Sequence, residues 1–568
     1  MLKLLTRLKI ILSRVFFDRS KNVHMNPTLS DVSKGHSLFA FIDQYCLGET
    51  SGLSHNSAFH RLCSLMRKMD VRTAVVEDIS SSFAEIAAEG KALNTYFGQH
   101  IEIKAHRITF LAEEVIALDS LPKVKNDNFL SSSIIINFKD PKKDWNSYLF
   151  SAIVTIPKIK NDPKLGDVPL LNNFIHIRRK FKREVIITEE KKIEFTITGS
   201  FFCQQNSVTS VCAHASLCMT LNNMEIQEEL ITPEDINEII GVDHKTSKFG
   251  PEGEARFTDK EIKKVLSQYA LTYELLNFFE NPNIGYNEYI YRYIESRCPV
   301  LLIFTTDVTT SHVVPILGHT LNSDMWRPEA ETAYSPAASR LDAFKSASEW
   351  VDHFIIHDDN FGMYLCLPVD ALKRVTLPKY DPTFRAHYAV VVKPSDVTTP
   401  SREAENASAI ITYDLLQWRK KTGAPLDTWA DRLLERMSHG RPIVIRTFLV
   451  KKEDYIYSLK ERDFENNSFS AEDKQILVKD LPDRFWLSEI TLPYLYTANK
   501  NKIIDCFYGC NYPESKTDID IYDRWLQIRF PFVLVRHDPS GTPSISELSV
   551  KSHYPLLRLH REHDLLDW

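Results

Sequence analysis

Apolar residues recur along this chain with two different periods. Alternation or short apolar runs predict strands at TAVVED (73–78), IEIKAHRITFLAEE (101–114), SSIIINFKD (132–140) and NSYLFSAIVTIPKI (146–159). The stretch 174–202 alternates strongly and predicts two or three more, after a Lys-, Asp- and Pro-rich loop at 160–172. Helical spacing appears at 81–97, 257–271, 284–298 and 426–440. ITPEDINEIIG (231–241) adds a helix, with Pro233 suited to an early position and Gly241 to a stop. Pro299 ends the 284–298 helix, and PVLLIFTTD (299–307) then reads as a central strand. A second apolar run opens at His312 and closes at Gly318. After a polar insertion at 327–348 come a strand at 354–356, an acidic turn and a strand at 363–367. Further strands are expected at 387–394, 441–452 and 525–538, with a Pro/Ser-rich linker at 394–408.

At 568 residues the chain exceeds one ordinary core. Three units are expected: an N-terminal α/β module (1–195), a central unit (196–395) and a C-terminal α/β module (396–568). Hydrophobic residues make 43% and charged residues 25%, and the net charge of -6 gives no general case for nucleic-acid binding. The cluster RRKFKRE (178–184) reads as a solvated strand face, and the aromatic-rich 485–513 as packing for a second core. Nine cysteines are scattered, without disulfide-framework or CxxC spacing, which points to a reducing, cytoplasmic compartment. Cys506 and Cys510 have no nearby partner pair for zinc, and HREHD (560–564) reads as a solvated tail rather than a metal site. There is no HExxH, no Gly-rich phosphate loop and no repeat period, so no metal or cofactor is expected. Residues 1–17 are basic and amphipathic, too interrupted by charge to span a bilayer but able to touch an anionic membrane surface or pack on the body.

The candidate chemistry centres on FFCQQNSVTSVCAHASLCMTLNN (201–223). A loop carrying Gln204 and Gln205 feeds a helix rich in small and apolar residues, with Thr209 or Ser210 as the expected N-cap. Cys212 then lies in the first turn, where the helix dipole favours the nucleophilic thiolate. A nearby glutamine side chain could donate to an oxyanion. His312, at the start of its strand, is the candidate base. His214, two residues after Cys212, should point away, and His319 lies at the wrong end of the strand. Asp358, in the acidic turn, could orient the imidazole, with Asp359 or Asn360 as substitutes.

This order resembles that of the papain-like cysteine peptidases, including the bacterial enzymes that process bacteriocin leaders: Gln before Cys at a helix start, His opening an aliphatic run that ends in Gly, then an aliphatic strand and an Asn/Asp turn. The likeness covers roughly 196–370. Its departures are a longer Gln-to-Cys spacing, Val211, Ala213 and His214 around the cysteine, and a connection at 325–350 that must loop out. The resemblance implies an α+β fold with a papain-like core: a nucleophile-bearing helix packed on an antiparallel sheet or half-barrel. It implies Cys212 as nucleophile, His312 as base, Asp358 as orienter, and Gln205, with Gln204 behind it, at the oxyanion. The expected activity is hydrolysis of peptide or isopeptide bonds by a regulated, intracellular bacterial enzyme acting on a protein or peptide. The same triad would serve an acyltransferase, transglutaminase or deamidase, and an inert papain-like scaffold would bind protein without chemistry. Substrate preference and oligomeric state are left open.

Overall fold

The computed structural model describes residues 27–557, apart from 34–36, 49–55, 80–82, 143–144, 163–165, 170–172, 189–190, 225, 247–257, 282–284, 306–310, 321–340, 371–384, 423–427, 462–468, 500, 512–519, 538–542 and 550–552. The basic segment 1–17 and the HREHD tail therefore lie outside the described residues. Among those described, no helix is long and apolar enough to cross a membrane.

The protein is α+β, built around three large sheets. The first joins Thr28–Asp31 (β1), Thr73–Asp78 (β2), Ile103–Leu111 (β3), Phe129–Lys139 (β4) and Trp145–Thr155 (β5). Lys158–Asp162 (β6) and Gly166–Pro169 (β7) form a small hairpin inside the expected 160–172 loop, and Asn173–Ile175 (β8) follows. Arg179–Ile186 (β9) and Lys192–Phe202 (β10) complete the first sheet in the order β1-β2-β3-β4-β5-β10-β9. Every pairing in it is antiparallel. The module is therefore not α/β in the parallel-sheet sense, because its neighbouring strands return on one another directly rather than through crossover helices. Ser57–Lys68 (α1) and Ala84–Phe97 (α2) lie between its early strands. The boundary expected at 195/196 falls inside β10, which belongs to this sheet. The basic stretch at 178–184 is only half solvated. Arg179 is buried, and its guanidinium donates to the carbonyls of Met224 at 3.1 Å and Gln227 at 2.9 Å.

Beyond β10 come the helices Cys212–Asn223 (α3), Pro233–Ile240 (α4), Asp259–Gln268 (α5) and Tyr286–Glu295 (α6). The start and stop signals in the sequence explain two of them. Thr232 caps α4, Pro233 follows, and Gly241 ends it in the left-handed region; Thr258 caps α5. The second sheet contains Leu271–Asn277 (β11), Val300–Thr305 (β12), Ser311–Thr320 (β13), His353–Asp358 (β15), Gly362–Pro368 (β16) and Ala386–Pro394 (β17). Its order is β11-β17-β12-β13-β15-β16, antiparallel throughout, and β8 adds to β13. Glycine is required at Gly318 of β13, since a Cβ there would overlap the Phe174 carbonyl oxygen of β8.

The short strand Phe344–Ser346 (β14), within the stretch expected to loop out, runs parallel to Ile443–Lys451 (β18) of the third sheet. That sheet continues through Arg484–Thr491 (β19), Ile504–Gly509 (β21), Trp525–Phe530 (β22), Val533–Arg536 (β23) and Ser544–Glu547 (β24), again antiparallel. Asn501–Lys502 (β20) pairs with Tyr554–Pro555 (β25). The expected linker at 394–408 contains the first eight residues of a helix, Ser401–Thr422 (α7). Its Ser, Glu and Ala composition hides a buried stripe of Ala404, Ala407, Ser408, Ile411 and Thr412 at helical spacing. Thr428–Ser438 (α8) follows. The aromatic stretch at 485–513 supplies buried Phe485, Trp486, Phe507 and Tyr508. One continuous hydrophobic core contains side chains of all three sheets.

Candidate active site

Antiparallel pairing of β13 with β15 sets the beginning of one beside the end of the other, since Ile316 faces Ile356. His312, second residue of β13, thereby meets Asp358, last residue of β15. α3 packs over this corner: the Ser216 hydroxyl, one turn after Cys212, donates to the Val313 carbonyl at 2.8 Å. Residues four apart share a helix face, so this bond sets Cys212 above the neighbouring His312.

His312 Nε2 lies 3.1 Å from Asp358 Oδ2. Asp358 Oδ1 accepts from the backbone N–H groups of Asn360 at 2.9 Å and Phe361 at 3.2 Å. The carboxylate is thus fixed at both oxygens. Burial opposes its charge, but His312 and the two N–H groups hold its pKa below the ordinary value. Burial likewise opposes an imidazolium at His312. Hydrogen bonding to Asp358 and Cys212, with the charges of Asp358 and Asp359, outweighs it and raises the pKa to about 10. A cysteine beside a charged imidazole is the arrangement that activates a thiolate.

Cys212 is the first residue of α3 and half-buried. Its backbone N–H is among those a helix start leaves without an intrahelical partner, so it is able to donate to an anion placed there. Cys63, Cys298 and Cys506, by contrast, are buried, and burial pushes their thiols up to about 12.

The expected N-cap is displaced. Val211 precedes the helix, with no side-chain cap, and its N–H donates to His214 Nδ1 at 3.3 Å. Thr209 and Ser210 are occupied by Asn206, which no sequence period marks. Asn206 Oδ1 accepts from the N–H groups of Val208 and Thr209, each at 2.8 Å, and of Ser210 at 3.2 Å. Its Nδ2 donates to Thr209 Oγ1 at 2.6 Å and to Glu89 of α2 at 2.5 Å, and Tyr148 of β5 also donates to Glu89, at 2.8 Å. The dense Asn/Ser/Thr composition of 206–210 is the signal that such a loop folds on its own side chains.

The two glutamines differ. Gln204 is buried. Its Oε1 accepts from Asn56 Nδ2 at 3.0 Å and the Leu149 N–H at 2.9 Å, while Nε2 donates to the Asp359 carbonyl at 3.0 Å. It ties the cysteine loop to the acidic turn and to the cap of α1. Gln205 is half-buried, and among the described residues its amide has no hydrogen-bond partner. Asn360 is exposed and reaches Asp358 only through its backbone, so it does not orient His312. His214 is buried, pushed down to about 4 by desolvation, and faces back along its own helix start.

The first sheet and α1 brace the acidic turn. Arg61 donates to the carbonyls of Met363 at 2.9 Å and Tyr364 at 2.6 Å, and the Tyr364 hydroxyl donates to the Val154 carbonyl at 2.7 Å. Gly362 has φ +114°, and a Cβ there would come within 2.7 Å of Arg61 Cβ. No local signal links residues so far apart in sequence.

Among the described residues, two clusters bring potential ligand atoms within 4.8 Å of one another: His312 with Asp358 and Asp359, and His176 with Glu295 and His319. In the first, the imidazole nitrogen is engaged by Asp358. In the second, Glu295 is held by the Arg446 guanidinium and by His319 Nε2 at 2.7 Å. Glu295, Arg446, Glu489, Lys502, Asp505 and Arg529 form a buried chain of matched acids and bases. A divalent ion would add uncompensated charge to it. Neither Cys506 nor Cys510 belongs to either cluster.

Comparisons with family models, curated proteins and solved structures returned no match to this chain.

Proposed function

We propose that this chain is a papain-like cysteine peptidase acting on peptide or isopeptide bonds of a protein substrate. The observation that carries the reading is His312 held between Cys212 and the doubly anchored Asp358, with Cys212 at a helix start. In the reaction, the Cys212 thiolate attacks the carbonyl carbon. The oxyanion is taken by the Cys212 N–H and the Gln205 amide, and the imidazolium of His312 protonates the leaving amine. The neutral imidazole then activates a water, which releases the acyl group from sulfur and regenerates the thiol.

The test is incubation of wild type and Cys212→Ala with a proteome-derived peptide library, with new termini mapped by mass spectrometry. A set of new termini that vanishes in Cys212→Ala supports hydrolysis of the main chain. Ammonia release or crosslinked product without new termini would instead assign the site to deamidation or acyl transfer.

A further inference from the structure

The imidazole nitrogen that meets Asp358 also meets a second acid. Asp359 Oδ1 lies 3.5 Å from His312 Nε2, and the Asp359 side chain is buried, with neither oxygen hydrogen-bonded among the described residues. Asp358 has its full complement of partners. Asp359, apart from facing His312, has no side-chain hydrogen bond among the described residues, although its backbone is fixed by Gln204 at 3.0 Å. A buried carboxylate without donors is costly, whereas a carboxylic acid facing an imidazole and a carboxylate is not.

We propose that Asp359 is a proton-carrying second acid of the site: Asp358 orients His312, and the charge state of Asp359 sets how readily His312 gives up its proton. The proposal rests on the Cys212–His312 pair being the reacting pair.

The surroundings define the sign. His312 faces Asp359 from β13, Asp358 precedes it in the turn, and Cys212 approaches His312 from α3. Gln204, from the loop after β10, is neutral. Arg61 of α1 is engaged by the carbonyls of Met363 and Tyr364. His357, before the turn, is buried and pushed down to about 3 by desolvation, so it stays neutral. Burial, reinforced by Asp358 and opposed by His312, pushes the Asp359 carboxyl up to about 7. Below that pH the acid is neutral, and His312 answers to Asp358 and the thiolate alone. Above it a second negative charge bears on Nε2. The ion pair then persists to higher pH, and His312 becomes a weaker proton donor to the leaving group.

Two measurements test this. Infrared difference spectra of wild type between about pH 5 and about pH 9 should show loss of a protonated-carboxyl C=O band near neutrality. The band should be missing in Asp359→Asn and in Asp359→Ala, and present in Asp358→Asn. This readout is independent of activity and stands even if the peptidase reading fails. In parallel, the rate of Cys212 alkylation by iodoacetamide should show an inflection near pH 7 in wild type, with a change of about threefold or more across it. Asp359→Asn should remove the inflection while keeping the limb at low pH. Absence of the band in wild type overturns the proposal, as does its survival in both Asp359 variants. So does an Asp359→Asn alkylation profile that parallels wild type at every pH, which would make Asp359 a structural residue.

Discussion

Gln204 and Gln205 are neighbours in sequence with different surroundings, and substitution should separate them. Gln205→Ala should slow turnover about 10²-fold with little change in melting temperature, as expected for loss of an oxyanion donor. Gln204→Ala strands the buried Leu149 N–H and releases the acidic turn. It should cost about 1–3 kcal/mol of stability in a denaturant titration, together with activity. His214 and His357 give the pH dependence of stability a direction. Both are pushed down by burial, to about 4 and about 3, from an ordinary value of 6.5. The unfolded chain therefore binds protons that the folded chain refuses. The stability contributed by these two histidines should be complete above about pH 6.5 and be lost as the pH drops towards 4, by on the order of 3 kcal/mol for His214. Asp359, pushed up to about 7, acts in the opposite sense, so the His214 part is read as the difference between wild type and His214→Gln. Equilibrium unfolding at a series of pH values checks this, and His214→Gln should flatten the slope. Cys212, His312 and Asp358 were legible because each sits at the start or end of an element whose apolar run marks that boundary. Asn206 and the true part of Gln204 were not, because a side chain that bonds backbone groups within its own loop, or one from residue 56, leaves no period in the sequence.

Elements bring these side chains together, and Gly362 shows how tightly. Gly362 turns the chain from β15 into β16 at a positive φ against Arg61. Gly362→Ala should destabilise by about 1–3 kcal/mol and slow Cys212 labelling, since the strain falls on the turn that carries Asp358 and Asp359. Gly362→Asn, which tolerates positive φ better but still carries a Cβ, should recover only part of the loss. The strands of the first two sheets were largely legible from alternation and apolar runs, and α4 and α5 from their caps. In the third sheet only β18 and the stretch of β22 and β23 were, while β19 and β21 lie in a segment read as aromatic packing. The helix α7 was not, because its buried face is made of Ala, Ser and Thr rather than large apolar residues. The short β14 was not, because three residues carry no periodicity and its pairing is with β18, about a hundred residues later.

At the scale of the molecule, the candidate site is not confined to one separable unit. The first sheet and its helices hold the cysteine loop through Asn56, Tyr148 and Glu89, and the acidic turn through Arg61 and Val154. On the other side, Glu295 at the end of α6 joins Arg446 of β18, which also binds Glu489 at 2.6 Å. Arg446→Met leaves the buried Glu295 without its guanidinium and Glu489 with Lys502 alone, and should cost about 3–5 kcal/mol or prevent folding. A fragment of residues 196–395 should not fold cooperatively, as read by circular dichroism and limited proteolysis, because it lacks nine of the ten strands of the first module and the Arg446 side chain.

The measurement that bears most directly on the central claim is intact-mass labelling with a low concentration of a thiol-reactive epoxide. Wild type should take a single label, lost in Cys212→Ala and slowed about 10²-fold or more in His312→Ala, with Asp358→Ala between them. If Cys212 reacts no faster than the other cysteines, or if His312→Ala leaves its rate unchanged, the thiolate–imidazolium pair does not exist, and the site is not that of a cysteine peptidase.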